Sequence, residues 1–153
     1  MKSEIYQALQ GTTCLDEALH RLTVLFSQIK DKNPDQRIGY VSGIISSDGD
    51  EKLPENIARL SGFTDKLRDE VGYCLFSATD VFGNGLREKV EEMKLPRQQR
   101  EPILIQFWGD VLKTGYVNDI YMTPRWMESQ GARSEYEISK QEGIVVFYRG
   151  DLG

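Results

Sequence analysis

The sequence predicts an α/β fold: a mostly parallel sheet with helices on both faces. Three observations carry that prediction. From residue 37 onward, short β-rich runs alternate with helical ones in the order strand, helix, strand, helix, helix, strand, helix, strand. The helical runs repeat their apolar residues at spacings of three and four. Glycine or proline stands at the junctions, as at Pro54, Gly72, Pro102, Gly115 and Gly143.

Residues 3–10 suit a short helix. Thr12 or Thr13 then fits the cap of a second helix over 14–30, with Asp16 and Glu17 in its first turn and Leu15, Leu19, Leu22, Phe26 and Ile29 along one face. A polar loop follows over 30–36. RIGYVSGIIS (37–46) reads as a strand interrupted at Gly43, and SDGDEKLPE as a turn. Pro54 fits the first position of a helix whose stripe is Ile57, Leu60, Phe63 or Thr64, Leu67 and Val71, and Gly72 stops it. Residues 73–82 make a second strand running into a loop, and 86–94 a charged helix. Pro102 opens the next helix, with Ile103, Leu104, Phe107, Trp108, Val111 and Leu112 inward and Gly115 at its end. A strand over 117–123, a helix over 132–142 and a strand over 144–148 complete the pattern. The expected organisation is one domain, an α/β unit over 37–153 preceded by a helical extension over 1–36 that serves packing or dimerisation.

At 153 residues the chain is long enough for one sizeable core. No apolar run approaches the ~20 residues that a membrane span needs. The opening stretch, MKSEIYQALQG, lacks the apolar centre of a secretory signal, so a cytoplasmic protein without a membrane partner is expected. A formal net charge of -5 leaves no basic excess for a nucleic-acid polymer, though a few local donors still suffice for a small anion. Cys14 and Cys74 lie far apart and are expected as reduced thiols. Two cysteines and the single His20 make a zinc site an unexpected outcome, and acid–base chemistry falls to carboxylates.

In a sheet of this kind ligands bind beyond the carboxyl ends of the strands. That rule selects Ser42–Ser47, Ala78–Asn84 and Thr123–Glu135 as stretches that converge. Glu135 lies four residues after Gly131, in a helix expected to start near Ala132. In a first turn the helix dipole favours the carboxylate, and on composition alone this is an ordinary helix-stabilising charge. Asp110 flanks the apolar stripe of its helix, a position that suits either a half-exposed carboxylate or one reaching a pocket. YVSGIISSDG offers glycine, serine and backbone donors, enough for a phosphate or ribose and equally for a plain turn. It is neither of the glycine-rich nucleotide fingerprints. Asp80 and Asn84 read as turn formers.

Taken in order, YVSG, the pre-strand Asp110, Asn118-Asp119-Ile120, and Ser129-x-Gly131-x-x-x-Glu135 inside IYMTPRWMESQGARSEYEISKQEG resemble the nucleoside 2-deoxyribosyltransferase superfamily, nearest its small nucleoside 5'-monophosphate N-glycosidase members. The resemblance covers about residues 37–148 and is most specific over 108–147. It implies a Rossmann-like, flavodoxin-like sheet. It also implies a Glu135 nucleophile at the anomeric carbon, Asp110 as second carboxylate, and a substrate site lined by Tyr40, Ser42, Gly43, Ser129 and Gly131. No cofactor and no metal are implied, and a homodimer or larger homo-oligomer is. Within the resemblance, Ser at position 129 goes with a 5'-phosphate, since Asp there would repel one. The chain departs from the pattern at Ile44, where Pro is usual, at Glu137, where Gly is, and at Ser139, where Ala is. Glu137 is also a rival for the functional carboxylate. The implied activity is hydrolysis of the N-glycosidic bond of a (deoxy)nucleoside 5'-monophosphate. Deoxyribosyl transfer, NAD cleavage and a nucleotide-binding regulatory module stand as alternatives.

Overall fold

The computed structural model describes residues 1–45, 49–82 and 96–150. Its centre is a four-stranded, all-parallel sheet made of β1 (Ile38–Ser42), β2 (Cys74–Ser77), β3 (Asp119–Met122) and β4 (Val145–Tyr148), in the spatial order β2-β1-β3-β4. Parallel neighbours require crossovers, and the helices supply them: α3 (Leu53–Val71) between β1 and β2, α5 (Arg97–Leu112) before β3, and α6 (Gln130–Gln141) between β3 and β4. The described residues also form α1 (Lys2–Ala8), α2 (Leu15–Lys32) and the short α4 (Ala78–Phe82). The Rossmann-like α/β fold expected from the sequence is the fold observed. Among the described residues no helix is long and apolar enough to cross a membrane.

Residues alternate across each strand, so the sheet has two chemically distinct faces. Ile38 and Tyr40 of β1, Phe76 of β2, and Ile120 and Met122 of β3 look toward α1, α2, α5 and α6, where the larger core collects. Val41, Leu75 and Tyr121 look the other way, onto Leu60 and Leu67 of α3. The N-terminal helices belong to that larger core: Ile5, Leu9, Leu22 and Phe26 are buried in it, and the Phe26 ring packs on Phe76 at 5.2 Å.

Several boundaries differ from the sequence expectation. Cys14 occupies the N-cap of α2, and Thr13 contributes by donating its backbone N–H and hydroxyl to Glu17 Oε2. The second strand stops at Ser77 because Asp80, three residues on, accepts the Ser77 N–H at 2.9 Å and turns the chain into α4. Helix α5 begins at Arg97, after Pro96, and Pro102 lies inside it. Gly72 ends α3 in the left-handed conformation, φ 68°, as its position suggested. The expected helix over 86–94, Asn84 and Ser46–Ser47 lie outside the described residues.

The amino end of the sheet is held by a buried polar group. Asp119, 1% exposed, accepts Arg37 Nε at 2.9 Å and Nη2 at 2.5 Å, and the Tyr73 hydroxyl at 2.9 Å. Asn118 Oδ1 beside it accepts the Ile38 N–H at 3.0 Å and Lys30 Nζ at 2.5 Å. Together they fix the starts of β1, β2 and β3 relative to one another. Replacing Asp119 with Ala leaves Arg37 and Tyr73 without their acceptor. The expected cost in urea unfolding is about 2–3 kcal/mol, less than for a fully buried pair because the Arg37 side chain is 51% exposed.

Candidate functional site

The order β2-β1-β3-β4 creates a switch point. The chain leaves β1 to one side to make β2 and returns past it to make β3, so the crevice between the β1 and β3 carboxyl ends is where ligands enter such sheets. Tyr40 and Ser42, two residues apart on β1, point to the same face there. Helix α6 lies over that face and buries Ala132, Glu135 and Ser139, a stripe at spacings of three and four. The result is a compact polar cluster: the Tyr40 hydroxyl donates to Glu135 Oε1 at 2.8 Å, and Ser42 Oγ donates to Oε2 at 2.5 Å.

All three residues are buried, Glu135 retaining 7% of its exposure. Burial disfavours the carboxylate and pushes the Glu135 pKa up to about 7 from 4.5; the hydroxyls of Ser42 and Tyr40 pull it partly back. Tyr40 moves the same way, well above the ordinary tyrosine value, through its own burial and then the charge of Glu135. The phenol therefore stays a proton donor while the carboxyl group titrates near neutrality. Tyr40 is held rigidly for this role. Its ring stacks on Trp108 of α5 at 5.2 Å and 28°, and packs on Phe76 at 5.2 Å.

The helix placing Glu135 starts earlier than the sequence suggested. Ser129 is the N-cap, its Oγ accepting the Ala132 N–H at 3.2 Å, and the first helical residue is Gln130. Glu135 thus sits in the second turn, and no acidic residue occupies the first. The expected dipole stabilisation of its charge is overturned: burial dominates, in the opposite direction. Glu137, the other carboxylate of that helix, is exposed to solvent.

The remaining sequence candidates fall in different places. Ser129 is buried at the start of α6. Gly131 follows it, and a Cβ added there would meet nothing nearer than Ser129 Oγ at 3.9 Å. Gly43 turns to the opposite face from Ser42. A Cβ there would stand 2.3 Å from Thr123 Oγ1, so only glycine fits against Thr123 and Leu60. Asp110 is half-buried on α5 and accepts Gln106 Nε2 at 2.9 Å; among the described residues no hydrogen bond or ion pair joins it to Glu135. Asp80 is committed to Ser77 N–H and to Arg68. Both cysteines are free thiols, and no cluster able to hold a metal ion occurs among the described residues.

Three residues have parts that sequence reasoning did not assign. Trp108 read as core and is the platform under Tyr40. Thr123 donates both its N–H, at 3.0 Å, and its hydroxyl, at 2.8 Å, to the Ser42 carbonyl. Asn56, two residues after Pro54, is buried and donates to the Ile45 carbonyl at 3.0 Å, holding the chain as it leaves β1. A buried Asn in the first turns of a helix is a weak signal that something nearby needs a donor.

No family model, curated protein or solved structure matches this chain.

The raised pKa has a consequence for folding. Because the folded state holds the Glu135 proton more tightly than the unfolded state, stability from this group is complete below about pH 4.5 and declines as pH rises through about 7. Glu135→Gln removes that penalty. The variant is expected to exceed wild type by about 3 kcal/mol at pH 8 and to come close to it near pH 4.5, as read from urea unfolding at both pH values.

Proposed function

We propose that the protein hydrolyses the N-glycosidic bond of a (deoxy)nucleoside 5'-monophosphate, releasing free base and (deoxy)ribose 5-phosphate. The observation that supports this most is the buried Glu135 carboxyl between Tyr40 and Ser42 at the β1–β3 switch point. Its residues are those that the resemblance to the deoxyribosyltransferase superfamily would put at the sugar.

A carboxylate in this setting suits a reaction that develops positive charge at an anomeric carbon. In the first step one Glu135 oxygen bonds to C1′ as the C–N bond breaks; the bonding pair leaves with the base, which takes up a proton. In the second, water attacks C1′ as its bond to the Glu135 oxygen breaks; that pair returns to the carboxylate, and the water's proton passes to the group that protonated the base. Each Glu135 oxygen accepts one hydroxyl and keeps a further lone pair, so Tyr40 and Ser42 can aim the carboxylate without occupying it. A carboxylate with a pKa near 7 is also more basic, and a better nucleophile, than one at 4.5. Asp110 is the proposed second carboxylate, delivering the proton to the base. Ser129 is proposed to face the 5'-phosphate, with the first N–H groups of α6 as additional donors. No cofactor is required by these steps.

A homo-oligomer, in the cytoplasm, belongs to the same proposal. Its support is the edge strand β4, where Val145, Phe147 and Tyr148 are exposed with no charged residue among them to block pairing. Light scattering should give at least twice the chain mass for wild type and a lower mass for Phe147→Lys; a monomeric wild type sinks this part.

The activity is tested by chromatographic detection of free base from a panel of nucleosides, their 5'-monophosphates and NAD. Release from monophosphates is expected, lost by at least a hundredfold in Glu135→Gln. The acid limb of the pH profile should have its midpoint near 7, since the nucleophile must be ionised, and any fall at higher pH marks loss of the proton that the base must receive. Ser129→Asp keeps a competent helix cap and adds a negative charge, so it should depress nucleotide cleavage far more than nucleoside cleavage. Full activity in Glu135→Gln would remove the nucleophile assignment, and equal losses on both substrate classes would remove the phosphate assignment.

A further inference from the structure

We infer that Thr123 is a positioning residue, a clamp that holds the Ser42 hydroxyl on Glu135 by gripping the Ser42 carbonyl from the neighbouring strand. Strands β1 and β3 pair from Gly39–Asp119 through Ser42–Met122. One residue past that pairing, Thr123 adds two donors to a single acceptor: its N–H reaches the Ser42 carbonyl at 3.0 Å and its Oγ1 at 2.8 Å. A carbonyl has two lone pairs, and here both are used. The last peptide of β1 is thereby anchored at the point where a strand normally frays. Ser42 Oγ, on the same residue, is the group 2.5 Å from Glu135 Oε2.

Two details show that the clamp is built in. Thr123 is buried, so its hydroxyl has no water alternative of comparable ease. The residue facing it is Gly43, where any Cβ would stand 2.3 Å from Thr123 Oγ1 and 3.3 Å from Leu60 Cδ1. Residue 43 must lack a side chain for the Thr123 hydroxyl to occupy its position. The pairing of a glycine after β1 with a threonine after β3 is therefore one device, and it accounts for Gly43 without any ligand contact.

The groups that set the ionisation of Glu135 are its burial, Ser42 and Tyr40. Tyr40 is held independently, by Trp108 and Phe76. Loosening Thr123 should therefore act through Ser42 alone, and a weaker Ser42 bond favours the protonated acid.

The measurement is a carbon-13 NMR titration of the Glu135 carboxyl in the full chain. Thr123→Val keeps the backbone N–H and replaces the donating hydroxyl by a methyl that cannot stay 2.8 Å from the Ser42 carbonyl, so the clamp is released; the Glu135 midpoint should rise by about half a unit to one unit. Ser42→Ala should raise it at least as far, and Thr123→Ser should return it to the wild-type value. Thr64→Val is the matched control. Thr64 is likewise buried and donates its hydroxyl to a backbone carbonyl, that of Leu60 at 2.7 Å, but on α3 behind the opposite face. It should lose stability without moving the Glu135 midpoint. An unchanged midpoint in Thr123→Val, or an equal shift in Thr64→Val, overturns the inference. The part concerning turnover rests on the proposed hydrolase activity: there Thr123→Val should lower kcat with little change in KM and move the pH profile by the same amount. The titration needs no substrate, so it decides the clamp even if no base is ever released.

Discussion

Four residues of β1, Gly39–Ser42, lie against Asp119–Met122 of β3, and the site depends on that register. A slip of one residue would send Tyr40 and Ser42 to the α3 face and bring Val41 under Glu135. Hydrophobic patterning gives little protection, since every β1 residue is buried and both faces are covered. Polar locks at the two ends fix the alignment instead. At the amino end Arg37, Asp119 and Asn118 tie strand starts together; at the carboxyl end Thr123 holds Ser42. Neither lock depends on the other's chemistry, and between them only one alignment satisfies all their buried donors and acceptors.

Within that frame the protein keeps a carboxyl group where folding alone would place an apolar one. Ala132 and Ser139 show what the sheet-facing stripe of α6 otherwise prefers, namely small side chains. Ser139 shows the cost of polarity there, for its buried hydroxyl has no hydrogen-bond partner among the described residues. Glu135 is the exception that is fully served, with a donor on each oxygen. Sites that sacrifice stability for a poised group are characteristic of function, and this is the physical support for the function proposed at Glu135.

The alternation of strands and helices was legible in the sequence because helical and extended periods differ so clearly. So was the convergence at the sheet's carboxyl edge, as far as it brought β1 and the Ser129–Glu135 stretch together. What escaped was mostly capping and cross-strand detail. Ser129 as N-cap moves the start of α6 back by two residues, which changes the electrostatics of Glu135 from dipole-favoured to burial-dominated. Pro96 and Pro102 both suit a helix start, and local propensity does not choose between them. Gly43 faces Thr123, which is remote in sequence, and no local pattern reveals such a partner. Asp110 was chosen by its place on a helical wheel, flanking the apolar stripe, and it lies half-buried there with Gln106 of its own helix as its hydrogen-bond donor.

The N-terminal helices bear on how this fold could be borrowed or divided. Sequence patterning separates them from the α/β unit, yet Phe26 fills the flank of Phe76, and Phe76 in turn backs the ring of Tyr40. A single file of aromatic rings thus runs from α2 to the hydroxyl that touches Glu135. An excised unit starting at residue 37 would bare that file to water at Phe76. The helices are consequently a wall of the site's foundation, and a transplant of this scaffold would have to carry them along.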